Sequence, residues 1–162
     1  MSSKHEPRPL VGLAAGVVAG AAASVAMVLF QNRAAKLVPH ASEGEPATVK
    51  AADKAAQAVT GQEVPEPWRE QAGQLVHYAT GIALGAIYGV IAEYRPAATA
   101  GFGSAFGLVT SALLDETAVP AAGLSGSPKD TPAAVHAYGI SAHLVYGVAL
   151  ESVRTLIAGR RR

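Results

Sequence analysis

The sequence predicts an all-α integral membrane protein, a four-helix bundle compatible with a duplicated transmembrane hairpin, and three observations lead there. Half of the 162 residues are hydrophobic and only 15% are charged. The apolar residues gather into four runs, 10–30, 75–93, 97–115 and 133–157, each close to the roughly 20 residues a helix needs to cross a hydrocarbon core. Glycine and alanine recur within every run at spacings of four, the period at which residues share one helical face. With no cysteine and a formal charge of +1, a disulfide-stapled domain, a Cys-ligated zinc site and a strongly basic nucleic-acid binder are excluded.

The first run follows a short tail, 1–9, that carries Lys4 and Arg8. A secretory signal has a similar basic head, but its apolar core is only about 7 to 15 residues, so this run reads as a retained span. Residues 31–74 hold five Lys/Arg and six Asp/Glu and form a water-exposed outer loop. Within it Val49, Ala52, Ala56 and Val59 fall on one face of a short amphipathic helix over 47–60, stopped by Gly61 and expected to lie on the bilayer surface. Trp68 belongs at headgroup level, and Pro67 suits the first turn of the helix that becomes span two. Only a few residues around Glu93-Tyr94-Arg95-Pro96 separate spans two and three, which makes them an antiparallel hairpin. The loop 116–132 contains Pro120, Pro128 and Pro132, and Asp130 or Thr131 is expected to cap span four. The tail 158–162 ends in Arg160 to Arg162, an anchor for anionic lipid rather than for nucleic acid.

Basic residues set the orientation. With both termini cytoplasmic, the short inner segments carry Lys4, Arg8, Arg95, Arg154 and Arg160 to Arg162, seven charges, against six spread over the two long outer loops. Arg33 and Lys36 argue the other way.

A shift of 58 residues aligns span two with span four at Gly81/Gly139, Ile82/Ile140, Tyr88/Tyr146, Gly89/Gly147, Val90/Val148 and Glu93/Glu151, six identities in thirteen positions. Spans one and three share Gly12, Gly16, Gly20 and Ser24 against Gly103, Gly107 and Ser111. A duplicated hairpin accounts for both; so does the resemblance of any Gly/Ala-rich membrane helix to any other. The ladders Gly12-Gly16-Gly20 and Gly81-Gly85-Gly89, with Gly103, Gly107 and Gly147, serve helix packing, either within the chain or between copies.

Ionisable residues in apolar runs are costly and usually face the bundle interior. His77 opens span two, His136 opens span four, and His143 lies two turns deeper. His136, His143, Gly147 and Arg154 form one stripe along span four, and His77, Gly81 and Tyr88 another along span two. Asp115 and Glu116 close span three at the face where His77 and His136 enter. Such a cluster can pass protons, ligate a divalent metal such as zinc, or, through two facing histidines, hold a haem. It can equally be interfacial and hydrogen-bond to loop backbone. At the other face Glu93 and Glu151 end their spans beside Arg95 and Arg154, with Tyr88 and Tyr146 one to two turns inside; the pair is an interfacial ion pair or the inner mouth of a proton path. No HExxH, CxxC or phosphate-loop pattern is present, and no cofactor is expected.

The order HYATGIALGAIYGVIAE, then Pro96, a Gly-rich third span, Pro120 with Gly123-Leu124, and finally AHLVYGVALESVR resembles the YagU-like bacterial inner-membrane proteins, a family of unknown biochemical function. Its sharpest elements here are His143-Leu144-Val145 with Tyr146, Glu151 and Arg154, together with Tyr88-Gly89 and Ala92-Glu93. The resemblance implies a small multi-span protein of the bacterial inner membrane, a loose link to acid or stress tolerance, and importance for His143, Glu93 and Glu151. No residue of the first loop matches. The leading expectation is a non-enzymatic protein handling protons or small ions. The alternative is a structural or accessory subunit that docks by its Gly-rich faces to itself or to a larger complex, and an enzyme or cofactor carrier comes third. The lipid bilayer is the expected partner. Since four spans leave little enclosed space, a transporter of this size is expected to be at least a dimer.

Overall fold

The computed structural model describes residues 6–39 and 44–160; Lys4, Arg161 and Arg162 of the orientation argument lie outside them. Among the described residues every regular element is helical, in the order α1 (Pro9–Ala34), α2 (Ala47–Thr60), α3 (Arg69–Tyr94), α4 (Ser104–Leu113), α5 (Val119–Ala121) and α6 (Ala133–Ala158). Among the described residues three helical stretches are long and apolar enough to cross a membrane: Pro9–Leu37, Glu66–Tyr94 and Ala133–Ala158.

α1 starts on Pro9, whose fixed φ suits a first turn. It buries an unbroken row of small residues, Gly12, Ala15, Gly16, Ala19, Gly20, Ala23 and Ser24, while Val17, Val18, Val25 and Leu29 are exposed. α3 and α6 repeat this inversion, with Leu75, Ile87, Val148 and Leu156 outside. A water-soluble monomer rarely presents so much apolar surface, and the pattern is compatible with a membrane protein.

α1 runs antiparallel to both α3 and α6 and packs against each, and α4 packs on α6. α1 and α3 meet backbone to backbone. A Cβ added at Gly12, Gly16 or Gly20 would strike the carbonyl oxygen of Gly89, Gly85 or Gly81, respectively. α4 and α6 meet in the same register, since a Cβ at Gly103 or Gly107 would strike the carbonyl of Gly147 or His143. Adding 91 to the first member of a pair and 58 to the second converts Gly12–Gly89 into Gly103–Gly147 and Gly16–Gly85 into Gly107–His143. The alignment seen in the sequence is therefore also a correspondence of three-dimensional contacts. α3 and α6 are linked by side chains: the Tyr146 hydroxyl donates to the Gly81 carbonyl (2.6 Å) and the Tyr88 hydroxyl to Glu151 Oε2 (2.8 Å).

The third expected span is where the structure departs from the sequence reading. Residues 97–103 are not α-helical: Pro96–Thr99 form a 3-10 turn, and Gly101, Phe102 and Gly103 all have positive φ (61°, 56° and 83°). Only glycine takes such values without cost, and the two glycines let the chain turn tightly onto Gly147. α4 is thus 10 residues long, about 15 Å against a hydrocarbon core of about 30 Å. It continues through a π turn, Leu114–Ala118, into α5, making one helical rod over 104–121.

α2 ends at Gly61 in the left-handed conformation (φ 76°), as its position suggested. Its Ala52 and Asp53 are buried on the α3 side, where Val49 lies against Gly73, so much of the face expected on the bilayer is spent on the protein; Val59 is exposed. The cap of α6 also differs. Pro132 is its N-cap, with no side-chain cap bond, because Asp130 ends a 3-10 turn begun by Ser127, whose hydroxyl accepts from the Lys129 backbone N–H (3.3 Å).

Gly85→Leu is expected to lower the unfolding temperature in detergent sharply, because its Cβ would meet Gly16 O and Gly20 Cα and overpacking costs about 1–3 kcal/mol or more. Gly126→Ala, with nothing within 4 Å of the added carbon, is the matched control and is expected to leave the melt unchanged.

Candidate functional site

The stripe of ionisable residues on α6 faces inward, and its members find partners on other elements at two ends. At the end where α6 begins, the π turn places the adjacent residues Asp115 and Glu116 toward α6. Glu116 Oε1 lies 2.6 Å from His136 Nδ1, and Asp115 Oδ2 lies 3.2 Å from His143 Nδ1. A π turn widens the helix by one residue and is frequent at functional sites; here Thr117 Oγ1 donates back to the Ala112 carbonyl, five residues earlier, at 3.0 Å. The Ser111 hydroxyl donates to Asp115 Oδ2 (3.2 Å). A cleft of about 300 Å³ opens beside the Glu116–His136 pair, lined by Leu108, Ser111, Ala112, Glu116, His136 and Ile140.

Hydrogen-bond partners distinguish the three histidines. His136 has an oxygen partner on each nitrogen, Glu116 on Nδ1 and the Pro128 carbonyl on Nε2 (3.0 Å); the carbonyl can only accept, so Nε2 carries hydrogen. His143 has two acceptors on one nitrogen, Asp115 Oδ2 and the Gly139 carbonyl (3.1 Å), both at Nδ1. That nitrogen carries hydrogen, which leaves Nε2 to gain or lose a proton. His77 lies against the Ser24 backbone, and its Nε2 is buried without a hydrogen-bond partner. It also lies near enough to His143 for the two rings to interact electrostatically. Among the described residues no three His, Asp or Glu side chains gather to hold a metal ion.

At the opposite end, Glu151 is held by Arg154 through Nε (2.6 Å) and Nη2 (2.7 Å) and by the Tyr88 hydroxyl. Arg154 has 0% exposure and is the largest fully buried side chain; its Nη1 is buried without a hydrogen-bond partner. The Tyr88 ring packs on Phe106 of α4 (4.7 Å between centroids), which aims the hydroxyl at Glu151. Glu93, also buried, accepts the Arg8 backbone N–H (2.8 Å), and the Arg8 side chain donates to the Ala158 carbonyl (2.7 Å). Arg8 therefore joins the start of α1 to the ends of α3 and α6, the place the sequence reading assigned to Arg95, which is exposed. Tyr146 serves α3 backbone rather than a carboxylate.

Three contributors were missed in the sequence. Arg8 joins across 85 residues, and nothing local announces it. Ser24 and Ser111 looked like ladder members only. The 91-residue shift, carried one rung further, pairs Ser24 with Asp115 and would have drawn attention to both. A separate polar group lies on α2, where Arg69 is bonded to Asp53, to Glu45 (2.7 Å) and to Glu66 (3.0 Å); it clasps α2 onto α3.

Glu151→Gln removes the charge that Arg154 needs, and breaking a buried pair from one side costs about 3–5 kcal/mol. Chemical unfolding in detergent is expected to show that loss for Glu151→Gln and to show most of it recovered in the double variant Glu151→Leu/Arg154→Met.

A family model described as a protein of unknown function, DUF1440, matches residues 48–152. The match takes in α2, which the YagU-like resemblance did not reach, and that resemblance is consistent with it. No curated protein and no solved structure matches the chain.

Proposed function

The chain belongs to the DUF1440 family, whose function is unknown, and from that premise we propose that it is a small, non-enzymatic membrane protein that moves protons across the bacterial inner membrane. The observation that carries the reading is the inward-facing stripe of α6: His136 and His143 pair with carboxylates at one end, and Glu151 pairs with Arg154 and Tyr88 at the other. Groups that are expensive to bury are kept where they exchange protons with neighbours. In this reading α1, α3 and α6 span the membrane, the rod over 104–121 is the fourth span, and both termini are cytoplasmic. Proton movement fits a role in envelope pH or stress tolerance.

The glycine faces favour this reading over an accessory subunit. Gly12, Gly16, Gly20, Gly81, Gly85 and Gly89 are occupied within the chain, which takes away the surface by which docking was expected.

Liposomes loaded with a pH-sensitive dye test the proposal. Wild-type protein is expected to dissipate an imposed pH gradient faster than empty liposomes, and the variant with His77, His136 and His143 all changed to Gln to match the empty ones. Equal rates for wild type and empty liposomes would sink it.

A further inference from the structure

We infer that the Asp115–His143 pair is the proton-exchange site, with His143 Nε2 as the atom that gains and loses the proton; this rests on the proton-moving reading above. The inference comes from comparing the two halves of the chain at one rung of their shared ladder. In the first half that rung is Ser24 against Gly81, with Gly85 one turn on. The Ser24 hydroxyl is spent on its own helix, donating to the Gly20 carbonyl (2.9 Å), and α1 stays α-helical to Ala34. Gly85 lets α1 come into backbone contact. None of Ser24, Gly81 and Gly85 titrates, and the one ionisable group beside them, His77, lies against the Ser24 backbone rather than against a carboxylate.

In the second half the same shifts, 91 and 58, place Asp115 at Ser24, Gly139 at Gly81 and His143 at Gly85. The geometry is retained: a Cβ at Gly81 would meet Ser24 Oγ, and a Cβ at Gly139 would meet Asp115 Oδ2. The chemistry is not. A serine and a glycine have been replaced by a carboxylate and an imidazole that face each other at 3.2 Å, and α4 leaves α-helical geometry in the π turn that contains Asp115. A packing rung has no use for either change, because glycine and serine pack these helices more closely and without burying charge.

Exposure gives the pair a direction. The Asp115 side chain is 38% exposed and that of His143 is 9%, so the carboxylate lies at the outer surface of the helices while the imidazole lies inside. The groups facing His143 are Asp115 from the π turn, the Gly139 carbonyl from α6 itself and His77 from α3; Ser111 of α4 acts through Asp115. A proton arriving at Nε2 makes an imidazolium whose charge Asp115 balances through Nδ1–H, and the same proton leaves from Nε2. His136, whose Nε2 donates to the Pro128 carbonyl and whose Nδ1 is paired with Glu116, stands beside this exchange.

Two measurements test this. In ¹⁵N-histidine NMR of the wild-type protein in nanodiscs, with the His143 signal identified by its loss in His143→Gln, Nε2 of His143 is expected to switch between unprotonated and protonated shifts with pH, while Nε2 of His136 does not. In liposomes the double variant Asp115→Ser/His143→Gly, which copies the first half, is expected to melt no lower than wild type and to conduct no faster than empty liposomes. A His143 signal that never titrates while the protein stays folded overturns the inference, as does wild-type flux that survives in the folded double variant; in the latter case proton movement itself stands. Titration of His143 without any wild-type flux upholds the exchange site and removes the transport reading. The NMR titration decides the matter even where the double variant does not fold.

Discussion

Contact between helix backbones is the constraint on which the rest of this structure depends. α1 touches α3 so closely that the carbonyls of Gly81, Gly85 and Gly89 occupy the space a Cβ would need on α1. At that separation dispersion between backbones replaces the interdigitation of large side chains. Most leucines and valines are left to the outside, and the buried hydrophobic residues are mostly alanine, with Met27, Leu150 and two tyrosines. A core of small residues holds helices in register along their length, since every rung must meet its own partner, but it leaves few places for a long side chain.

Those few places explain the tyrosines. α3 and α6 both pack against α1, and Tyr88 and Tyr146 bridge the two with their hydroxyls. A buried phenol must find an acceptor. Tyr146 takes the Gly81 carbonyl, and Tyr88 takes Glu151, which is thereby fixed for Arg154. The ion pair is thus a consequence of the spacing that the glycines impose, and each member satisfies a group that would otherwise be stranded in an apolar surrounding.

Apolar length and small-residue period made α1, α3 and α6 legible in the sequence, because a run of that composition has few other ways to satisfy its backbone. The same signals misplaced the start of α4. Residues 97–103 are as apolar as a span, but Pro96 and the glycines at 101 and 103 turn the chain, and hydropathy does not weigh backbone conformation. At the candidate site, the stripe on α6 was readable from 100° spacing. Its partners were not: Asp115 and Glu116 meet α6 from a π turn, and Arg8 meets Glu93 across 85 residues. The internal alignment was the signal that could have been carried further, since its two shifts also relate the helix contacts of one half to those of the other.

The two halves also diverge at the other end of the ladder. Glu93 and Glu151 are equivalent, yet the position three residues on is Pro96 in the first half and Arg154 in the second. Proline breaks the helix and permits the turn into α4; arginine lets α6 continue to Ala158 and supplies a cation to Glu151. Glu93 has no arginine at that place on its own helix, and it draws instead on the backbone and side chain of Arg8. A carboxylate held by an N–H at the start of α1, where the helix dipole is positive, is coupled to how α1 is seated in a way that Glu151 is not. One end of the duplicated pair is thereby locked and the other tied to the position of a helix, and a chain built from two identical hairpins would have neither difference.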